Sequence, residues 1–232
     1  MTVKRAKVAV LASGGGSNLQ ALIDYFAAIG DRRAADIVLV ASNRSEAGAL
    51  ARARAAGVPV SIIRSARNEN GEEMLPLLQR HAVDLVVLAG YLQLVPPDVT
   101  RAFAGRIVNV HPAPLPDFGG AGMYGRRVHH AVLSAGVRFS GPTVHFVDDV
   151  YDHGATIAHW PVPVLPGDDD QAISVRVLSA EHLLLPRAVQ AVASGAPLPE
   201  RLILPAFGAA MSDAELEAIA DDWFLQPRNS AR

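Results

Sequence analysis

The chain has 232 residues, half of them hydrophobic, with 21 Lys and Arg against 23 Asp and Glu and a formal charge of −2. That length suits one large α/β domain with a full-sized core, and the near-neutral balance provides no basic field for nucleic acid or an anionic membrane. The expected partners are therefore small molecules, bound by a monomer or homodimer, and the absence of cysteine removes thiol nucleophiles, disulfides and Cys-ligated metals and fits a reducing, cytoplasmic location.

Runs rich in Val, Ile and Leu at residues 8–11, 37–41, 58–63, 85–89 and 106–110 read as buried strands. Their near-continuous apolarity is that of parallel strands covered on both faces. The first run follows Lys4 and Arg5 but is too short for a signal-peptide core, and Gly14, Gly15 and Gly16 break it at once. No stretch approaches the ~20 apolar residues of a membrane span. Leu19, Leu22, Ile23 and Phe26 recur at helical spacing before Gly30, and residues 46–56 read as a second helix closed by Gly57. A third helix before Asp84 would be interrupted or delayed by Pro76. This alternation predicts a doubly wound, mostly parallel α/β sheet with helices on both faces.

Beyond His111 the texture changes. Residues 112–125 form a loop rich in Pro and Gly, and 126–134 read as a helix. Residues 143–147 and 156–164 read as a strand pair around the turn Tyr151-Asp152-His153-Gly154. A long helix over 171–193 contains Pro186, expected to kink it, and the tail carries an acidic amphipathic segment at 213–224 that reads as a docked surface helix. Without repeats or linkers, one domain over 1–232 is the economical reading, with a phosphate-binding lobe (1–105), a catalytic lobe (106–195) and a tail (196–232).

The segment from Ser13 to Asn18 (SGGGSN) joins the first strand to the first helix. Bare backbone N–H groups, close approach and a helix N-terminus are what phosphate binding requires; Ser17 and Asn18 could instead merely cap the helix. A Walker loop would need a Gly-Lys-Ser/Thr sequence. A dinucleotide fingerprint would need glycine where Leu19 stands and an acid where Ser42, Asn43 and Arg44 stand. A lone phosphomonoester fits better, which argues against an oxidoreductase.

Asn109 and His111 lie two apart on a strand that Pro112 ends, so both project to one side at the carboxyl edge, where open α/β sheets bind ligands. An amide N–H can stabilise charge on a tetrahedral carbon, and a histidine can move a proton near neutral pH. A carboxylate beside it would fix the tautomer and favour the imidazolium. Asp152 is the best candidate, with Asp148 and Asp149 as alternatives. No activated nucleophile is evident, so acyl transfer to a substrate's own amine fits. The other histidines form no metal-ligand pattern, so no metal is expected.

Five segments occur in an order that resembles the phosphoribosylglycinamide formyltransferases: LASGGGSNLQ from Leu11, VLAGY from Val87, NVHP from Asn109, VHFV from Val144 and AEH from Ala180. The resemblance runs from about Val8 to about Ser194. It implies a Rossmann-like formyltransferase fold and 10-formyltetrahydrofolate as co-substrate, with Asn109, His111 and Asp152 as the catalytic set. It further implies that Gly16, Ser17 and Asn18 hold the substrate phosphate. Glu181 would take the ribose hydroxyls, in a pocket lined by Leu178, Ser179 and Ala180. Arg67, the backbone of Leu92, Gln93, Leu94 and Val95, and the loop Asp148, Asp149, Val150, Tyr151 and Asp152 would contact the folate, as would Asn109. Gln93 stands where many members have arginine, His153 replaces a small residue beside Asp152, and residues 118–125 lack the usual histidine-containing loop. A formyltetrahydrofolate deformylase and a non-catalytic phosphosugar-binding module are the competing readings; the deformylase carries an extra N-terminal domain.

Overall fold

A computed structural model describes residues 4–65, 70–195, 202–203 and 212–225. Strands β1 (Ala6–Leu11), β2 (Ala35–Ser42) and β3 (Val60–Ile62) alternate with helices α1 (Ser17–Ile29) and α2 (Gly48–Ala55). Then follow α3 (Met74–Arg80), β4 (Leu85–Leu88), α4 (Pro97–Ala102), β5 (Ile107–His111) and α5 (Arg126–Ser134). The remainder is β6 (Phe139–Ser140), β7 (Thr143–Phe146), β8 (Thr156–His159), β9 (Val162–Pro163), α6 (Asp170–Ser194), β10 (Leu202–Ile203) and α7 (Asp213–Leu225).

The main sheet has eight strands in the order β10-β8-β7-β5-β4-β1-β2-β3. All neighbours are parallel except β5–β7 and β7–β8. Period two divides the core: Val8 and Val10 face the helices α1 and α6, while Ala9 and Leu11 face α3 and α4. Because β2 and β4 lie on opposite sides of β1, the loops after β1 and β4 diverge from one point. That switch point is where an open sheet offers its crevice.

Several elements differ from the reading of the sequence. Helix α2 starts at Gly48, two residues late, and the short α4, opened by Pro97 at its first turn, was not foreseen. Pro76 sits within the first turn of α3, where its missing N–H would have had no partner anyway. The expected strand over 156–164 is two pieces in two sheets, since β9 pairs with β6 rather than continuing β8. Pro161 between them brings no donor, and Gly141 lets the chain pass close by: a Cβ there would lie 1.8 Å from the Trp160 carbonyl oxygen. Helix α6 runs continuously through Pro186. Helix α7 docks on it through buried Leu216 and Ala220 and an Arg187–Asp221 pair at 2.7 Å.

Candidate active site

The glycine loop follows β1 at the switch point. Ser13 anchors it: its Oγ donates to Asn43 Oδ1 at 2.6 Å and accepts from the Leu92 N–H at 3.0 Å, tying together the ends of β1, β2 and β4. The carbonyls of Gly14 and Gly15 are held by the Ala49 N–H and Arg52 Nε. Gly16 has a φ of 80°, and a Cβ on it would meet Ala49 Cα at 2.6 Å. Glycine is therefore required there by the packing of α2. No side chain caps α1, so its first N–H groups stay open beside the exposed Gly14 and Gly15. Asn18 does not cap; its Nδ2 donates to Glu181 Oε2 at 2.5 Å.

Asn109, His111 and Asp152 meet at the carboxyl end of β5. His111, 3% exposed, directs Nε2 to the Phe118 carbonyl at 2.8 Å, so that nitrogen carries a proton. Its Nδ1 lies 3.4 Å from Asp152 Oδ2. The turn that carries Asp152 is tight enough to give it a φ of 54°. Gly120 N–H donates to the same carboxylate at 3.0 Å, so the loop after β5 wraps the pair. The two alternative acids are occupied elsewhere. Asp148 pairs with His153 at 2.9 Å and Asp149 accepts from Thr100 Oγ1. His153 accordingly leaves Asp152 alone.

His145 is a fourth member that reasoning from sequence missed. It sits opposite Asn109 in the β5–β7 register and is 1% exposed. Its Nδ1 donates to the Phe146 carbonyl at 2.7 Å, which leaves Nε2 as the acceptor for Asn109 Nδ2 at 2.9 Å. The second amide hydrogen of Asn109 has only a 3.4 Å approach to Asp152. That hydrogen is the one left to meet a developing oxyanion. The VHFV motif contained the histidine, but only the strand register put it against Asn109.

Electrostatics corrects one expectation. Burial pushes His111 below the usual imidazole value, more than Asp152 and the Phe118 carbonyl raise it, so the neutral form is favoured at rest. For Asp152 burial acts upward, but in the acid range where a carboxyl titrates the protonated imidazoles of His145 and His111, with the Gly120 N–H, hold it below the usual carboxylate range.

On α6, Glu181 is brought to the glycine loop through Asn18. Leu178 is half-buried one turn earlier; Ala180 is packed in the core, and the exposed Ser179 bonds back to the Val175 carbonyl. A cleft of about 320 Å³ holds Gln93 and Leu94 together with Tyr91, Ile63, Arg64 and Ser65. Burial, helped by Tyr151, pushes Tyr91 up to about 12. Val95 is buried, and the Leu92 N–H is taken by Ser13. Arg67 lies outside the described residues. Val150 and Tyr151 stand exposed beside Asp152. A larger groove of about 700 Å³ runs along the outer side of α1 from Ser17 to α7 and touches none of Asn109, His111 or Asp152.

This architecture, a doubly wound sheet with an open glycine loop and an Asn-x-His edge facing a turn aspartate, is matched by the formyl transferase family over residues 6–189, and the chain belongs to that family. The chain is 42% identical over 196 residues to "Phosphoribosylglycinamide formyltransferase, chloroplastic" of Vigna unguiculata, covering 83% of this chain and 62% of that protein. It thus spans less than two thirds of that relative. Two solved structures are similar over nearly their whole length. Glycinamide ribonucleotide transformylase 1 from Symbiobacterium toebii has 36% identity and a TM-score of 0.74, covering 85% of this chain and 92% of its own. Phosphoribosylglycinamide formyltransferase from Brucella melitensis has 39% identity and a TM-score of 0.71, covering 84% and 99%. Helix α7 falls beyond the family match.

Proposed function

We propose that the protein transfers the formyl group of 10-formyltetrahydrofolate to the amine of 5-phosphoribosylglycinamide, giving formylglycinamide ribonucleotide and tetrahydrofolate in de novo purine biosynthesis. The observation that carries this reading is the meeting of Asn109, His111 and Asp152 at the sheet edge that also presents the open glycine loop. The substrate phosphate sits on the N–H groups of Gly16, Ser17 and Asn18, the ribose hydroxyls on Glu181, and the folate in the cleft of Gln93 and Leu94 flanked by Val150 and Tyr151.

The amine attacks the formyl carbon, and the free hydrogen of the Asn109 amide, aimed by His145, meets the oxygen as charge develops. The attacking nitrogen loses one proton and the folate nitrogen gains one as its bond to carbon breaks. Neutral His111 accepts the first proton, and Asp152 stabilises the imidazolium until it donates the second. In the free site the Phe118 carbonyl occupies the position of that acceptor. These groups carry every bond change without a metal.

The test is production of tetrahydrofolate followed spectrophotometrically with and without 5-phosphoribosylglycinamide. Strict dependence on the phosphosugar supports transfer. Equal rates in its absence, with formate released, would make the protein a deformylase.

A further inference from the structure

Glu181 is 7% exposed on α6, and its hydrogen bond comes from a neutral amide, Asn18 Nδ2 at 2.5 Å. A carboxylate so placed loses most of its hydration, and one amide does not replace it. The charged groups on the elements around it are committed elsewhere. Arg52 of α2 holds the Gly15 carbonyl and Gln20, and acts on His182 rather than Glu181. His129 of α5 is set by burial, Asp170 and His111. His111 of β5 and His145 of β7 face Asp152, His159 of β8 meets Thr143, and Asp36 of β2 meets Arg33. Arg176 and Arg187 of α6 pair with Asp168 and with Asp221 of α7. Desolvation accordingly pushes Glu181 up to about 7, with Asn18 the one group drawing it back.

Asn18 is itself 8% exposed, and its Oδ1 is buried with no partner among the described residues. An amide with one end unused can turn end for end. Nδ2 then donates to a carboxylate, or Oδ1 accepts from a carboxyl O–H. Either protonation state of Glu181 is satisfied by the same neighbour.

We propose that Asn18 and Glu181 form a proton-holding pair that releases its proton when the ribose of the phosphosugar substrate binds. This rests on the reading of Glu181 as the ribose contact. Two vicinal hydroxyls are both donors, and only the ionised carboxylate offers an unencumbered acceptor to each. Binding therefore selects the ionised form, and Asn18 acts as a positioning residue that tunes where the selection occurs.

The experiment is calorimetric titration of 5-phosphoribosylglycinamide at pH 7 into wild type and Glu181→Gln, in buffers of different ionisation enthalpy. Wild type should release about half a proton more than the variant, because a group titrating at about 7 is half protonated there, and the difference should vanish by about pH 9. The substrate phosphate, ionising near pH 6, contributes equally to both and cancels. The KM for the phosphosugar, but not for the folate, should rise about tenfold per pH unit below pH 6 relative to Glu181→Gln. Asn18→Leu should move that rise to higher pH. Equal proton release by wild type and variant overturns the pair. So does a carboxyl ¹³C resonance of Glu181 in ligand-free wild type that titrates like an ordinary glutamate, a measurement that needs no variant to fold. Absence of binding together with absence of phosphosugar-dependent turnover would instead remove the substrate reading, and the pair with it.

Discussion

Asp152 and Glu181 both lose most of their solvent, one in the turn after β7 and the other on α6. Burial acts upward on both. Around Asp152 stand two imidazoles and a backbone N–H, and its carboxyl ends below the usual range; around Glu181 stands one amide, and its carboxyl ends near 7. Burial sets the size of the penalty, and the partners decide its sign. The acid beside His111 has several neighbours that favour its charge, whereas the acid on α6 has one amide.

The largest test of this contrast is at the catalytic end. His111→Ala should lower kcat by about 10²–10⁴. Asp152→Asn should act through His111, so the double variant should be little worse than His111→Ala alone. If steady-state rates show the two losses multiplying, the unit formed by the pair is broken. The same Asp152→Asn change should lower the His111 titration point further, read by imidazole NMR, because the larger of the two influences that raise it is gone.

Stability against pH should separate the two ends by sign. Asp152 is lowered, so its contribution is present above about 3.9 and lost as pH falls through its folded value. Glu181 is raised, so the folded protein binds its proton more tightly; that stabilisation is present below about 4.3 and lost as pH rises through about 7. Glu181→Gln should therefore melt about 7–15 °C above wild type at pH 8 but only about 2–4 °C above it at pH 5. An equal gain at both values would mean that charge is not what burial penalises there.

The glycine loop offers a smaller contrast. Gly16→Ala should lower stability by about 1–3 kcal/mol, since a left-handed φ and the nearness of Ala49 both oppose a side chain. Gly15→Ala, with open space around it, should leave the melting temperature within about 2 °C while raising the KM for the phosphosugar. The smallest expected effect is that of chelation, which should leave turnover unchanged; a loss restored by zinc would break the assignment of every step to protein groups.

Much of this was legible in one dimension because its causes are local. The Val, Ile and Leu runs place the parallel strands, and two-residue spacing puts Asn109 and His111 on one side of β5. A triple glycine before an amphipathic run places an open, uncapped loop at the head of α1. Asp152 could be preferred to Asp148 and Asp149 because it sits within a tight turn, and the fold brings it to His111.

Tertiary structure decided the rest, because each remaining fact depends on what a distant segment places nearby. His145 aims Asn109 only through the β5–β7 register. The split between β8 and β9 follows from the pairing of β9 with β6, and the Leu92 N–H goes to Ser13 across the switch point. The sign of a titration is the clearest case. Residue identity supplies an ordinary value for Asp152, Glu181 and His111, but desolvation and partner count are properties of the packed molecule. Sequence alone therefore determined which chemical groups the site could hold, and packing determined which of them carry charge.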